Sequence, residues 1–463
     1  MPGELLGLLL LNALLWLAGA GVLLLTRWSS PQGLRCWVGL AYLVGAAWTG
    51  VVGGILLVAG LAFDRVEIAV TASVPILVFA VVDRLRAGAL RPGVSTAGPR
   101  WVAAPAALIA GLMVVRCAFE PMTGWDAFSF WTPKAESIVY FHGLSAAFYH
   151  SGVANADYPP FATALESAAF RFMGQFDTTL VHVQYGLLVL AFVAALAELL
   201  RRFANPARLA LVLVLIVVSP AVYLQTLSAY SDVPLAIFVS LGAVLLWQGA
   251  HDGIRAAYPL ATFALAAALS MKVEGTPYVL AVVIAMVCIK RPASGSRWAP
   301  VGVLAVATLV SVVPWRVWLA DNHVQGTYHP QYASLVDHPG LSLRALDALG
   351  ANLVSPVRWL LLPVVVILGL VLGWTAGRRQ EVLFVLSVVV LAVLAMDLTY
   401  WLTNYGFAWH VATSVNRVVM TPALVAASFT PLLLTPAPAR DPRLGLTGDG
   451  HARASASIPV TLP

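Results

Sequence analysis

The chain has 463 residues, of which 60% are hydrophobic and only 10% charged, and its mean hydropathy is +0.86. Soluble domains carry roughly 25% charged residues, so a soluble globular fold is excluded and the surplus apolar surface has to face lipid. The net charge of +6 does not point to nucleic acid, because the basic residues are spread through short loops between apolar runs, where they set topology.

Backbone amides in hydrocarbon need internal partners, so long apolar runs predict helices, and no alternating barrel-strand pattern is present. About thirteen spans are expected. In chain order they are Leu5–Thr26, Leu34–Phe63, Val66–Val82, Trp101–Phe119, Thr178–Leu200, Ala207–Leu224, Val233–Gln248, Ala256–Ser270, Thr276–Ile289, Trp298–Ala320, Leu353–Thr375, Val382–Trp401 and Val411–Leu434. The first is too long for a signal-peptide core and has no Lys or Arg before it, so it reads as a span and not as a cleaved leader. The second is long enough to be tilted. The stretch Met271-Lys272-Val273-Glu274-Gly275 interrupts the run from Tyr258 to Ile289, which reads as two short spans meeting there, or as one broken helix.

Loop charges orient this layout. Arg27, Arg35, Arg84, Arg86, Arg91, Arg100, Arg201, Arg202, Arg208, Arg255, Lys290, Arg291, Arg297, Arg378 and Arg379 fall on one side, with Arg440, Arg443 and Arg453 in the tail. These are about eighteen of the 27 basic residues, which makes that side cytoplasmic. The N-terminus is then outside, the C-terminus inside, and Glu120–Asp177, Gln225–Asp232, Asp321–Asn352 and Thr403–His410 lie outside. In the first of these, Phe161, Leu165, Ala168, Ala169 and Phe172 recur at helical spacing while Glu166 and Arg171 point elsewhere, which predicts a short interfacial helix. Residues 436–463, rich in Pro, Ala, Ser, Gly and Arg, are expected to be a disordered tail. The division is therefore a three-span addition over 1–100, a transmembrane core over 101–435 with its large outer loop at 120–177, and the tail. Cys36, Cys117 and Cys288 form no CxxC pair and offer neither a metal site nor a disulfide framework.

The outer segments hold the residues with chemistry. Trp125-Asp126-Ala127-Phe128-Ser129-Phe130-Trp131, followed by Lys134 and Glu136, sets an acid among aromatics at headgroup depth. Partial desolvation there raises a carboxyl pKa toward that of a general base, although an aromatic belt with an incidental acid has the same composition. Asn155-Ala156-Asp157-Tyr158-Pro159-Pro160 is an extended turn, with Asp157 and Tyr158 as candidate binding residues. In Tyr230-Ser231-Asp232-Val233-Pro234, Asp232 is either a reactive acid or a helix N-cap. Lys272 and Glu274 either pair with each other or serve a site. His410 and Arg417 lie near the outer end of the last run, where the Arg fork either matches a phosphate or snorkels to the interface. Arg316 and Asp397 sit similarly, and either pair with each other or join the site.

At these residues the chain resembles the GT-C superfamily of polytopic membrane glycosyltransferases, of the protein mannosyltransferase and aminoarabinose-transferase type. Asp126 in Trp-Asp-Ala matches that family's acid in the first large outer loop, and Asp232 in Tyr-Ser-Asp-Val-Pro matches the second acid at the start of a span. The resemblance runs roughly from Trp101 to Leu434. It implies transfer of a sugar from a polyprenyl-phosphate donor to a hydroxyl of a glycan, lipid or protein acceptor, at a plasma or inner membrane. Asp126 and Asp232 would be catalytic, with Trp125, Lys134, Asp157, Tyr158, Lys272, Glu274, Arg316, His410 and Arg417 binding substrate. A divalent cation, Mg or Mn, would sit at Asp126 and Asp232 if one is used, and no other cofactor is implied. Three spans precede the catalytic-type loop, Ser-Asp stands where some members carry paired acids, and no soluble outer domain exists to select a protein acceptor. Two other functions fit a polytopic chain: a transporter, which would show midplane charges and paired broken helices, and a non-catalytic envelope assembly protein, which would need no converging site.

Overall fold

The computed structural model describes residues 2–85, 94, 98–289, 302–303, 305–307 and 311–436. The expected tail beyond Pro436, the loop charges Arg86, Arg91, Lys290, Arg291 and Arg297, and part of the run Trp298–Ala320 lie outside the described residues. In chain order the helices are α1 (Pro2–Leu25), α2 (Val38–Val58), α3 (Arg65–Leu85), α4 (Ala104–Cys117), α5 (Thr132–Tyr140), α6 (Ala146–His150) and α7 (Phe161–Met173). They continue with α8 (Val183–Leu200), α9 (Pro206–Val218), α10 (Pro220–Leu227), α11 (Asp232–His251), α12 (Ala257–Leu269), α13 (Gly275–Ile289) and α14 (Val313–Asp321). The last are α15 (Ser334–Asp337), α16 (Gly340–Leu353), α17 (Pro356–Trp359), α18 (Leu362–Thr375), α19 (Arg379–Trp401), α20 (Phe407–Val418) and α21 (Met420–Leu433). No strand occurs among the described residues. The protein is a helical, membrane-embedded chain.

Among the described residues, 7 helices are long and apolar enough to cross a membrane, or up to 9 if each of two bent pairs is one span. The difference from about thirteen comes from breaks within the expected runs. Pro220 opens α10 and has no amide hydrogen to continue the α9 ladder, so the pair bends by 48°. The run expected over Leu353–Thr375 carries Pro356 and Pro363 and turns through 114°. The run Val411–Leu434 breaks between α20 and α21 at Val419. α12 and α13 have 13 and 15 residues, about 20 Å and 22 Å of helix, shorter than the roughly 30 Å hydrocarbon thickness. The helical run is broken at residues 270–274, where the sequence is interrupted by Lys272 and Glu274.

Burial sorts the long helices. α11 is enclosed on every side, packed by α8, α12 and α21, whereas α3 and α4 keep most of their surface at the periphery. α1 and α2 cross at glycines: a Cβ on Gly19 would lie 1.7 Å from the Ala41 carbonyl oxygen, and one on Gly45 would lie 1.7 Å from that of Leu15. Small residues let transmembrane backbones approach this closely. The three-helix N-terminal layer is thereby locked to the rest, and α7 packs against α1, α2 and α5.

α7 corrects one expectation. Its polar side is not left to solvent: both of its faces are buried within the protein and Glu166 points into the core. There the carboxylate accepts a 2.6 Å hydrogen bond from the Tyr185 hydroxyl, which lets an acid occupy a packed interior. Arg171 leans the other way and donates to the carbonyls of Val139 (2.7 Å) and Phe63 (3.3 Å).

Candidate functional site

Four distant stretches meet at one end of the bundle. The first begins at Gly124, where a Cβ would lie 2.1 Å from the Ser228 carbonyl oxygen. That close approach lays the 124–131 turn against the start of α11. Over Ala127–Trp131 the helix widens so that the Thr132 amide bonds the Ala127 carbonyl five residues back, a π-bulge of the kind common at functional sites. The bulge leaves Asp126 buried and Trp125 exposed, with the Trp125 ring edge-on to Phe130.

The second stretch enters through Ala229, which holds a left-handed φ of 52° without being glycine, a conformation that costs free energy and recurs at functional sites. Ser231 occupies the cap position of α11, so Asp232 is in the first turn and caps nothing. Its carboxylate, 4% exposed, instead accepts from the Lys272 ammonium at 2.8 Å. Lys272 is fully enclosed in the break between α12 and α13 and also lies 3.7 Å from Glu274. Thus Lys272 and Glu274 do approach each other, but the shorter contact of Lys272 is to Asp232.

Arg417, in the last turn of α20, completes the cluster. Its Nη1 bonds the Asp126 carboxylate and lies 4.0 Å from Asp232 Oδ2, and its guanidinium lies 4.9 Å from the Tyr230 ring centre. Tyr158 donates to Glu274 at 3.0 Å, and its ring lies 5.6 Å from the Lys272 ammonium. Asp126, Asp232, Glu274, Lys272, Arg417 and Tyr158 therefore form one connected network. Asp232 Oδ2, Glu274 Oε2 and Arg417 Nε are buried without a hydrogen-bond partner among the described residues. Burial pushes the Asp126 carboxyl above its ordinary range, with Arg417 and Lys272 pulling against it, the direction expected from its aromatic setting.

The other sequence candidates stand outside this network. Lys134, 1% exposed, is walled in by the rings of Phe130, Trp131, Tyr149 and Tyr158 and donates to the Asn155 carbonyl. Burial lowers its pKa to about 7. It faces no open surface, and what it does is tie the Asn155–Tyr158 turn to α5. Asp157 is half-buried, its backbone carbonyl held by Trp315 Nε1 at 2.8 Å and its carboxylate against Gly326. Arg316 is exposed, and Asp397 accepts from Ser342 at 2.8 Å, so the two form no ion pair with each other. His410 bonds Thr403 at 2.8 Å and packs between Tyr400 and Tyr405, about two turns of α20 before Arg417.

Tyr230 and the Gln225–Asn416 contact of 3.3 Å were absent from the sequence candidates, though Tyr230 adjoins one. Among the described residues no group of three or more His, Cys, Asp or Glu is placed to hold a metal ion. Both acids proposed for one, Asp126 and Asp232, already face cationic side chains, so these residues do not fit a divalent cation as they are arranged. Among the described residues no disulfide joins Cys36, Cys117 or Cys288. The chain matches no protein-family model, no curated protein and no solved structure.

Proposed function

We propose that this chain is a glycosyltransferase of the GT-C type, moving a sugar from a polyprenyl phosphate to an acceptor hydroxyl on the outer face of a plasma or inner membrane. The observation that carries the reading is the meeting of Asp126, Asp232 and Arg417 at a single guanidinium. Acids and cations drawn from separate helices to one membrane-embedded point are costly to bury. A reaction that moves a proton and stabilises a departing phosphate accounts for both signs of charge.

In this reading the donor lies with its isoprenoid chain in lipid and its phosphate at Arg417 and Lys272. The arriving phosphate competes with Asp126 for the Arg417 fork and frees the carboxylate. Asp126 takes the proton of the acceptor hydroxyl as that oxygen bonds the anomeric carbon. The bond from the anomeric carbon to phosphate oxygen breaks, and the phosphate leaves with the electron pair. Arg417 and Lys272 stabilise its charge, and Asp232 keeps both cations aimed. No step is routed through a metal.

The test is turnover by the full chain in liposomes containing a polyprenyl-phosphate sugar pool. Asp126→Asn is expected to lose about 10²- to 10⁴-fold. Near-normal turnover in a folded Asp126→Asn protein overturns the assignment. Solute uptake without sugar transfer would move the chain to the transporter class.

A further inference from the structure

A second site of different character lies beyond the far end of α5. Asp64 precedes α3 and accepts from Arg171 at 2.8 Å and from His142 Nδ1 at 3.1 Å. With Arg65 these side chains line an open pocket of about 430 Å³. Asp64 is thereby neutralised by Arg171, which is further committed to two backbone carbonyls. Arg65 is different. It is exposed in the first turn of α3, bonds the Arg171 carbonyl through Nε, and meets no carboxylate among the described residues. Gly174 keeps room beside it, since a Cβ there would lie 2.9 Å from Arg65 Nη2.

Arg65 and Val66 also line a groove of about 600 Å³ that runs down between α1 and α3. Its walls are Leu6, Leu10, Val66 and Val70, all exposed, and its floor is set by Gly3 and Gly7. Gly7 packs so tightly on α7 that a Cβ would lie 2.0 Å from the Phe172 carbonyl oxygen, which recesses this strip of α1. By helical spacing Glu67 is on the other flank of α3, away from the groove. An apolar trough long enough for a chain, opening at its top onto an uncommitted guanidinium, has the shape and charge of a lipid with an anionic headgroup.

We propose that the α1–α3 groove and the Arg65 pocket form one binding site for a phospholipid of net negative headgroup charge, with the chain against α1 and α3 and the phosphate at Arg65. The site is separate from the Asp126 cluster and does not depend on the transferase reading. It requires only a membrane-embedded chain. One cationic side chain at a membrane surface favours an anionic lipid by about 1 kcal/mol, roughly a five-fold effect.

The test is native mass spectrometry of the detergent-purified full chain titrated with phosphatidylglycerol or phosphatidylcholine. The wild type is expected to retain phosphatidylglycerol preferentially. Arg65→Gln should remove about five-fold of that preference and leave phosphatidylcholine unchanged, with Arg65→Lys intermediate. Gly3→Leu, at a position where nothing lies within 4 Å, should fill the trough and weaken both lipids. Equal retention of the two lipids by the wild type, indicating ordinary boundary lipid, overturns the proposal. So does an Arg65→Gln protein with undiminished preference, or displacement of the lipid by glycerol phosphate alone.

Discussion

A buried ion cluster at the start of α19 and a second one around Arg417 of α20 are built on different rules. In the first, Arg378 pairs with Glu381 at 3.3 Å and gives its remaining N–H groups to the carbonyls of Thr435 and Pro436. There the ion pair itself joins sequence neighbours, and the backbone of residues 435–436 caps the guanidinium. In the second cluster, Asp126, Asp232, Glu274, Lys272 and Arg417 come from four stretches of chain, and Arg417 Nε, Asp232 Oδ2 and Glu274 Oε2 are left without hydrogen-bond partners among the described residues. A closed pair fastens a helix end. An open network retains donors and acceptors for something else, and its cost has to be offset by the surrounding fold.

Substitutions can break this contrast, and the largest expected effect is the loss of about 10²- to 10⁴-fold in transfer by Asp126→Asn, with folding retained. Next comes a paired comparison. Arg417→Gln should lower turnover by about 10²- to 10³-fold, whereas Arg378→Gln should cost about 3–5 kcal/mol of stability by stranding Glu381 and leave turnover per folded molecule unchanged. Equal stability losses with equal turnover in both variants would erase the distinction. Stability in detergent and activity in liposomes are the two readouts.

A smaller effect tests whether the open network acts as a unit. Asp232→Asn and Lys272→Met should each destabilise, while the double variant should cost less than their sum, with a coupling of about 0.5–3 kcal/mol. Additive losses would show that Lys272 and Asp232 do not depend on each other. Tyr185→Phe should cost about 1–3 kcal/mol by taking the 2.6 Å donor from Glu166.

The smallest expected effect is a pH dependence. Lys134 titrates at about 7 in the fold, below its ordinary value near 10. Below pH 7 it is charged in both folded and unfolded states, and the full penalty for burying the charge is present. Between about pH 7 and 10 the unfolded chain binds the extra proton, so stability rises with pH. Lys134→Met should flatten that rise in thermal unfolding curves, and an unchanged slope would show that the ammonium is not desolvated.

Much of this was legible along the chain. Asp126, Asp232, Lys272 and Arg417 could be named because charges are rare beside long apolar runs and each costly one needs a reason to be there. The break at residues 270–274 was legible for the same reason. The enclosure of Lys134 was not legible, because nothing in Trp-Thr-Pro-Lys says whether its side chain turns outward or into four rings supplied partly by residues 149 and 158. Glu166 was misread because a lone acid on an apolar helix looks solvent-facing until Tyr185 from α8 is brought against it.

The sequence alone determined the solvent and the secondary structure: with 60% hydrophobic residues in long runs, the chain must place helices in lipid, because only they satisfy every backbone group there. Tertiary structure decided where those helices break, which of them is fully enclosed, and that Arg417 meets both Asp126 and Asp232. Hydropathy is a local property read over a few turns. The convergence of residues 126, 232, 272 and 417 depends on close approaches, such as Gly124 against the Ser228 backbone, that only the packed fold creates.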